Sequence, residues 1–139
     1  MMRARQVLET SVYADDLNAA ERFYAGVLGL EVITRVAGRH VFFRCGAGVF
    51  LVFDPARTSE GAALPAHGAS GPGHMAFAAG EAELDGWRRQ LAEHGVEIER
   101  EVAWPGGGHS LYFRDPAGNS IELGTPALWK IPEEVVFRD

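Results

Sequence analysis

The chain carries two copies of one sequence pattern, and this repeat limits the possible folds more than any other feature. The segment LETSVYADDLNAAERFYAGVLGLEV (Leu8 to Val32) aligns with GHMAFAAGEAELDGWRRQLAEHGVEI (Gly73 to Ile98) when one extra residue is allowed before the second helix. Each copy begins with a short alternating strand and passes through an acidic cluster into an amphipathic helix. The repeat predicts two similar supersecondary units in one chain.

The segments that follow the two helices also match each other. HVFFRCGAGVFLVFDP resembles HSLYFRDPAGNSIELGTP, and each predicts two strands joined by a turn. Aligning Arg44 with Arg114 places Ala47-Gly48 on Ala117-Gly118, so we expect both hairpins to turn on the same Ala-Gly pair. The same alignment makes Val52 the counterpart of Glu122. Each half is then a β-α-β-β-β module, and the chain is predicted to have an α+β fold.

Segment composition predicts how the chain is divided. We expect one domain over residues 1–139, with module one at about 5–55, a linker at 56–72, module two at about 73–125 and an extension at 126–139. The linker is rich in Gly, Ala, Ser and Pro, which is typical of a flexible connector or a mobile lid. The extension has two prolines and no clear period. It is therefore predicted to be irregular, with Trp129, Ile131 and Val135 to Phe137 packed on a neighbouring surface.

Charge and cysteine content exclude several kinds of partner. The 13 Lys and Arg residues and 19 Asp and Glu residues give a net charge of -6 with no basic patch, which argues against binding to nucleic acid or to an anionic membrane. No apolar run approaches the length of a membrane span. Cys45 has no partner for an internal disulfide, and the first ten residues lack the features of a secretory signal. These features predict a soluble, cytoplasmic protein.

Three residues are candidates for a metal site. Under the repeat, Glu9 and His74 occupy equivalent positions at the start of the first strand of each half. Glu122 lies in the last strand of the second half and alternates with Ile121 and Leu123, so its side chain points to a cavity or to solvent. Each residue alone has an ordinary structural explanation. Together, two carboxylates and one imidazole are a common ligand set for a divalent transition metal such as Mn, Fe, Co, Ni or Zn.

These segments resemble the vicinal oxygen chelate superfamily, which includes glyoxalases, bleomycin resistance proteins and dioxygenases. The resemblance covers nearly the whole chain and is carried by ETSVYADDLNAAERFYAGVLGLEV, GHMAFAA and, most specifically, SLYFRDPAGNSIEL. It implies two modules paired edge to edge, which form a curved sheet around a cleft. It also implies Glu9, His74 and Glu122 as metal ligands. A homodimer is a further implication, in which the first strand of a site can come from the partner chain.

Departures from the family patterns narrow the expected chemistry. A classical dimeric glyoxalase has a fourth ligand on the strand that carries Val52 and an arginine at the position of Tyr13. Fosfomycin enzymes share a tyrosine at the position of Tyr112 but use cationic residues around the phosphonate, and this chain has no matching Lys near Val102 and no Arg near Ile131. Extradiol dioxygenases use two histidines and one carboxylate. None of the three named activities therefore matches the pattern fully.

The resulting expectation is a metal-dependent enzyme acting on a small oxygen-chelating substrate. The metal would act as a Lewis acid in lyase or isomerase chemistry or in dioxygenase-like chemistry. Glu122 or Glu9 would act as the base, and Tyr112 and Ser11 are candidates for orienting the ligand. The alternative is a bleomycin-resistance-type protein that binds a small molecule without catalysis. Retention of all three ligands favours the enzyme.

Overall fold

The computed structural model describes residues 1–138 and contains two compact units, one at Met1–Gly71 and one that begins at Pro72. Asp139, the last residue of the predicted extension, lies outside the described residues. Each unit contains one four-stranded sheet and one main helical segment. The α+β fold with two β-α-β-β-β modules, predicted from the repeat, is confirmed.

The first unit contains strands β1 to β4. The elements in chain order are β1 (Glu9–Tyr13), α1 (Leu17–Glu21), a π-helical turn (Arg22–Val27), β2 (Glu31–Val36), β3 (His40–Cys45), β4 (Gly48–Phe53) and α2 (Pro55–Thr58). The strands are ordered β1-β4-β3-β2, with β1 parallel to β4 and the other pairs antiparallel. The first helix begins where Asp16 caps it by accepting a hydrogen bond from the N–H of Ala19.

The second unit repeats this topology and adds a helical tail. Its elements are β5 (His74–Ala78), a 3-10 turn (Glu81–Glu83), α3 (Leu84–Glu93), β6 (Arg100–Ala103), β7 (His109–Arg114), β8 (Ser120–Gly124), a second 3-10 turn (Pro126–Trp129) and α4 (Glu133–Val136). The strand order β5-β8-β7-β6 matches that of the first unit. No helix within residues 1–138 is long and apolar enough to cross a membrane.

The two faces of the second unit's sheet have different roles. In the second unit the buried face carries Leu111, Phe113, Ile121 and Leu123, which are at most 1% exposed. The alternate residues point away from this core because successive side chains of a strand face opposite sides. These alternate residues include His74 on β5 and Glu122 on β8, whereas Met75 pairs with Ile121 on the core side.

The hairpin register corrects two predictions. Only Gly46 and Ala47 separate β3 from β4, whereas five residues, Asp115 to Asn119, separate β7 from β8. The positive backbone angles fall on Gly46 (φ 56°) and Gly118 (φ 88°), so the turns do not use the same Ala-Gly pair.

The same register moves the counterpart of Glu122 by one residue. Glu122 pairs with Ala76 two residues after His74, and Leu51 pairs with Ser11 two residues after Glu9. Leu51 is therefore the first-unit equivalent of Glu122. Val52 is fully buried on the opposite face of the sheet, so the prediction of a ligand position lost at Val52 was wrong. The shorter turn explains the error, because an ungapped alignment shifts every residue of β4 by one.

The connector and the tail also differ from their predictions. The predicted linker overlaps α2, which Asp54 caps by accepting a hydrogen bond from the N–H of Ala56. The predicted irregular tail contains a 3-10 turn and a short α-helix. Its large apolar side chains were expected to be packed away, yet Trp129 is 76% exposed.

Candidate functional site

His74 and Glu122 are brought together by the parallel pairing of β5 with β8. The distance from His74 Nε2 to Glu122 Oε1 is 3.3 Å. The His74 ring is more than half exposed, whereas the Glu122 side chain is buried. The pairing of Ala76 with Glu122 places the two functional side chains diagonally across adjacent strands, within reach of each other.

The tautomer of His74 follows from its second contact. Its Nδ1 lies 3.0 Å from the carbonyl oxygen of Ser120. A carbonyl only accepts, so Nδ1 carries the proton and donates it. In the neutral ring Nε2 then presents a lone pair toward the carboxylate of Glu122. In that state a divalent cation bound by both atoms would relieve the repulsion between the two acceptors, and a hydrogen-bonded Nδ1 is the usual arrangement of a metal-ligating histidine.

The other oxygen of Glu122 is held by a short chain of hydrogen bonds. Ser110 Oγ donates to Glu122 Oε2 over 2.5 Å, and Trp104 Nε1 donates to Ser110 Oγ over 2.9 Å. An indole N–H can only donate, so the buried Ser110 hydroxyl accepts from Trp104 and directs its single proton to the carboxylate. Glu122 Oε1 remains on the side of His74.

Neither Ser110 nor the role of Trp104 was predicted. Ser110 lies on β7 between His109 and Leu111, and a serine in a strand carries no sequence signal for contact with a carboxylate on another strand. The strand register is what brings the two side chains together. Tyr112 pairs with Glu122, and Ser110 lies two residues before Tyr112 on the same face of β7.

Gly124 leaves space for the carboxylate. A Cβ at this position would lie 3.0 Å from Glu122 Oε2 and 3.0 Å from Leu128 Cδ2. Such contacts are tighter than carbon and oxygen atoms ordinarily adopt, so a larger residue would displace the carboxylate or the tail. The glycine two residues after Glu122 therefore belongs to the site by its size.

The other candidates have different positions. Tyr112 is the cross-strand partner of Glu122, and its ring centre is 6.4 Å from that of His74. Glu9 and Ser11 lie on one face of β1 in the first unit, and Glu9 is exposed. No group of three or more His, Cys, Asp or Glu side chains within residues 1–138 is arranged to hold a metal ion. Of the three predicted metal ligands, His74 and Glu122 therefore lie together within the second unit.

A cavity of about 590 Å³ extends from this pair. Its walls come from β5, β8, the loop before β7 and the tail. Besides His74 and Glu122, the lining consists of Ala76, Phe77, Ala78, Trp104, Pro105, Gly106, Gly107, Gly124, Thr125, Pro126, Leu128, Trp129, Ile131 and Val136. A cavity of this volume with a few polar groups at one end is typical of a small-molecule site.

Comparison with known proteins identifies the family of this chain. Residues 6–123 match the model of the Glyoxalase/Bleomycin resistance protein/Dioxygenase superfamily. The chain belongs to this superfamily. The resemblance to the vicinal oxygen chelate proteins noted from SLYFRDPAGNSIEL is therefore confirmed.

Individual relatives agree with the assignment. A crystal structure of lactoylglutathione lyase from Agrobacterium tumefaciens is 43% identical, with a TM-score of 0.89, over 94% of this chain and 100% of that chain. A glyoxalase/bleomycin resistance protein/dioxygenase structure from Nocardioides shares the fold at 21% identity, with a TM-score of 0.72, over 90% of this chain and 85% of that one.

A curated relative matches a shorter stretch. Metallothiol transferase FosB from Shouchella clausii (strain KSM-K16) is 39% identical over 59 residues. The matched region spans 40% of this chain and 39% of that protein.

Proposed function

We propose that this protein is a metal-dependent, glyoxalase-like enzyme. In this proposal His74, Glu122 and Glu9 hold a divalent metal ion, and the substrate is a small molecule with two adjacent oxygens. The observation that carries the proposal is the approach of His74 Nε2 to Glu122 Oε1, while His74 Nδ1 donates its proton to the carbonyl oxygen of Ser120. Membership of the superfamily and the likeness to a lactoylglutathione lyase support lyase or isomerase chemistry.

The protein's own groups have separable tasks. The backbone carbonyl of Ser120 keeps His74 in one orientation, and Ser110 keeps Oε2 of Glu122 occupied. A bound divalent ion would polarise the substrate oxygens as a Lewis acid. Glu122 Oε1 or the carboxylate of Glu9 would then accept a proton from the carbon next to the polarised carbonyl.

Metal titration tests the ligand set directly. Calorimetric titration of the metal-free protein with Zn²⁺ and Ni²⁺ should show one tight site per chain. Glu122→Gln and His74→Gln should each weaken binding at least 100-fold, because each removes a charge or donor atom from the coordination sphere. The matched control is Glu97→Gln, which removes an exposed carboxylate from the same unit. Unchanged affinity in Glu122→Gln would contradict the proposal.

A mixed preparation assigns Glu9 to the same chain or to the partner. Chains with Glu9→Ala are mixed with chains carrying Glu122→Ala, and the metal content of the mixed dimer is measured. Recovery of one site per mixed dimer shows that Glu9 comes from the partner subunit, because only then does one site contain all three native ligands. No recovery with each parent protein folded shows that Glu9 serves its own chain.

The alternative is a bleomycin-resistance-type binding protein without catalysis, which the cavity supports as well as it supports an enzyme. A chamber of about 590 Å³ with apolar walls suits retention of a ligand as well as turnover. Screening α-keto aldehyde adducts, epoxides and catechols with the metal-loaded protein separates the two functions. Metal-dependent turnover of any of these classes supports the enzyme, and tight binding with no turnover supports the binding protein.

A further inference from the structure

The cavity that extends from His74 and Glu122 has a second, apolar end, which is formed by the tail. The tail supplies Trp129, Ile131 and Val136 to its wall, and these side chains are 76%, 40% and 40% exposed. All three lie beyond residue 123, where the match to the family model ends. This wall is thus a feature of the segment of this chain that the family model does not describe.

Two polar side chains that line the cavity already have hydrogen-bond partners. Trp104 Nε1 donates to Ser110, and Thr125 Oγ1 accepts from the N–H of His109. Among the described lining residues, only His74 and Glu122 bear ionisable side chains, and none is Lys or Arg. Placing an anionic group against such a wall would partly desolvate its charge with no cation to compensate it, which is unfavourable.

One cation lies near the rim of the cavity. A Cβ placed on Gly106 would lie 3.9 Å from Lys130 Nζ, although Lys130 does not itself line the cavity. Its ammonium group remains in solvent, where its attraction for a ligand charge is weak and screened by salt. The apolar wall is therefore expected to dominate selection.

We propose that the tail makes this cavity a binding site for an aryl ring, a flat and uncharged apolar group. The ring belongs to the same molecule whose adjacent oxygens reach His74 and Glu122. This inference rests on the proposed function, because that function defines the oxygen-bearing end. Two indoles favour a flat ring, since aromatic rings gain from stacked or edge-to-face packing in addition to burial. The chamber has space for more than one ring, because a cavity of roughly 150 Å³ already holds benzene.

Two contacts hold the tail beside the cavity. The N–H of Glu81 donates to Glu133 Oε1 over 2.6 Å, which attaches α4 to the start of the helical segment of the same unit. Leu128 packs so closely on the loop before β7 that a Cβ on Gly108 would lie 2.5 Å from its backbone nitrogen. These contacts hold Trp129 and Val136 over the cavity without covering their apolar surface.

The test uses three probes, and the ring is compared with the aliphatic diol in the metal-free protein because phenolic and alcoholic oxygens differ in acidity and in metal chelation. 2,3-Dihydroxynaphthalene has adjacent oxygens on a flat ring system, 1,2-ethanediol has the oxygens without the ring, and 2,3-dihydroxynaphthalene-6-sulfonate adds a negative charge at the far end. Binding is measured by calorimetry with the full chain, both metal-free and metal-loaded. We expect the naphthalenediol to bind at least 100-fold more tightly than ethanediol and about tenfold more tightly than its sulfonate.

Two variants report on the wall. Trp129→Ala should weaken naphthalenediol binding by roughly 5- to 30-fold in both the metal-free and the metal-loaded protein, because it removes ring contact and buried area. Leu64→Ala is the matched control, since Leu64 is 66% exposed and lies in the other unit. Both substituted side chains are exposed, so neither change should prevent folding. Equal naphthalenediol affinity in the two variants overturns the proposal, as does tighter binding of the sulfonate.

Failure of this inference is distinguishable from failure of the proposed function. If metal loading does not affect naphthalenediol affinity but Trp129→Ala still weakens it, the aryl chamber stands and the metal-centred function fails. If metal binds normally and Trp129→Ala has no effect, the function stands and the chamber assignment fails. Sedimentation of wild type and Trp129→Ala supplies the third outcome: loss of self-association with no loss of probe affinity would assign the wall to a second copy of the chain.

Discussion

Ser110 Oγ donates a hydrogen bond to Glu122 Oε2 over 2.5 Å, and Trp104 fixes the direction of that bond by donating to the same oxygen of Ser110. The contact joins β7 to β8 inside the unit, away from solvent. It leaves Oε1 as the oxygen of Glu122 on the side of His74. Ser110 is a positioning residue in the proposed function, because it acts on the metal through Glu122.

Removing the Ser110 hydroxyl should weaken metal binding while the fold persists. We expect Ser110→Ala to lower metal affinity by about 10- to 100-fold, the usual effect of losing a partner that orients a ligand. Ser110→Thr retains the hydroxyl and should recover most of the affinity, which a purely steric role would not explain. Calorimetric Zn²⁺ titration provides the readout, with exposed Ser70→Ala as the control. Wild-type affinity in Ser110→Ala would exclude the positioning role.

Two glycine substitutions in the second unit should have opposite effects on stability. A Cβ on Gly108 (φ 87°) would lie 2.5 Å from Leu128 N, so Gly108→Ala combines a strained backbone with a backbone clash. We expect a loss of about 2–4 kcal/mol in the free energy of unfolding. Gly86 lies inside α3 with only Arg89 Nη2 at 4.0 Å, and Gly86→Ala should gain about 1 kcal/mol.

Urea denaturation measures both variants. A Gly108→Ala protein as stable as wild type would show that the loop and the tail separate readily, which would also weaken the case for a tail held over the cavity.

Releasing the Glu133 tether should loosen the tail. Glu133→Ala removes the acceptor of the Glu81 N–H, and we expect backbone amides of residues 126–137 to exchange roughly fivefold faster, as for the loss of about 1 kcal/mol. Glu134→Ala is the matched control, because Glu134 is adjacent and exposed. Hydrogen exchange followed by mass spectrometry resolves the segment. Identical protection in the two variants would show that the contact does not hold the tail.

His40 should make the first unit less stable in mild acid. Burial, and then the neighbouring Arg39 guanidinium, lower the pKa of His40 below its ordinary value of 6.5. Its Nδ1 accepts from Arg39 Nη1 over 2.6 Å, which requires the neutral ring. Since the unfolded chain takes up this proton at a higher pH than the folded one, stability should fall as the pH drops below about 6.5 toward the folded pKa.

The pH effect of His40 can be separated from the other histidines by substitution. His40→Phe removes the titrating group and keeps a ring against Phe42, whose centre is 3.9 Å from that of His40. We expect the difference in Tm between pH 7.5 and pH 5.0 to shrink in His40→Phe. The exposed His94→Gln variant should retain it. An unchanged difference in His40→Phe would assign the acid sensitivity elsewhere.

The sequence by itself determined the order of strands and helices along the chain and the first-strand positions of Glu9 and His74. Strand and helix periodicities, repeated at the same spacing, predicted both β-α-β-β-β units, and the structure starts β1 at Glu9 and β5 at His74. These features are local, so the pattern of one strand or helix is sufficient to reveal them. The side of the sheet on which Glu122 lies was also predicted correctly, because Ile121 and Leu123 alternate with it and are buried.

Tertiary structure alone decided the register, the partners of the carboxylate and the wall of the cavity. One additional turn residue shifts a whole strand to its other face, and for this reason the counterpart of Glu122 is Leu51 rather than Val52. The hydrogen bonds from Trp104 through Ser110 to Glu122 join a loop and two strands, so no pattern within one strand or helix predicts them. The tail became a cavity wall because contacts at Glu81 and Gly108 order it, and such long-range contacts leave no periodic trace in the sequence.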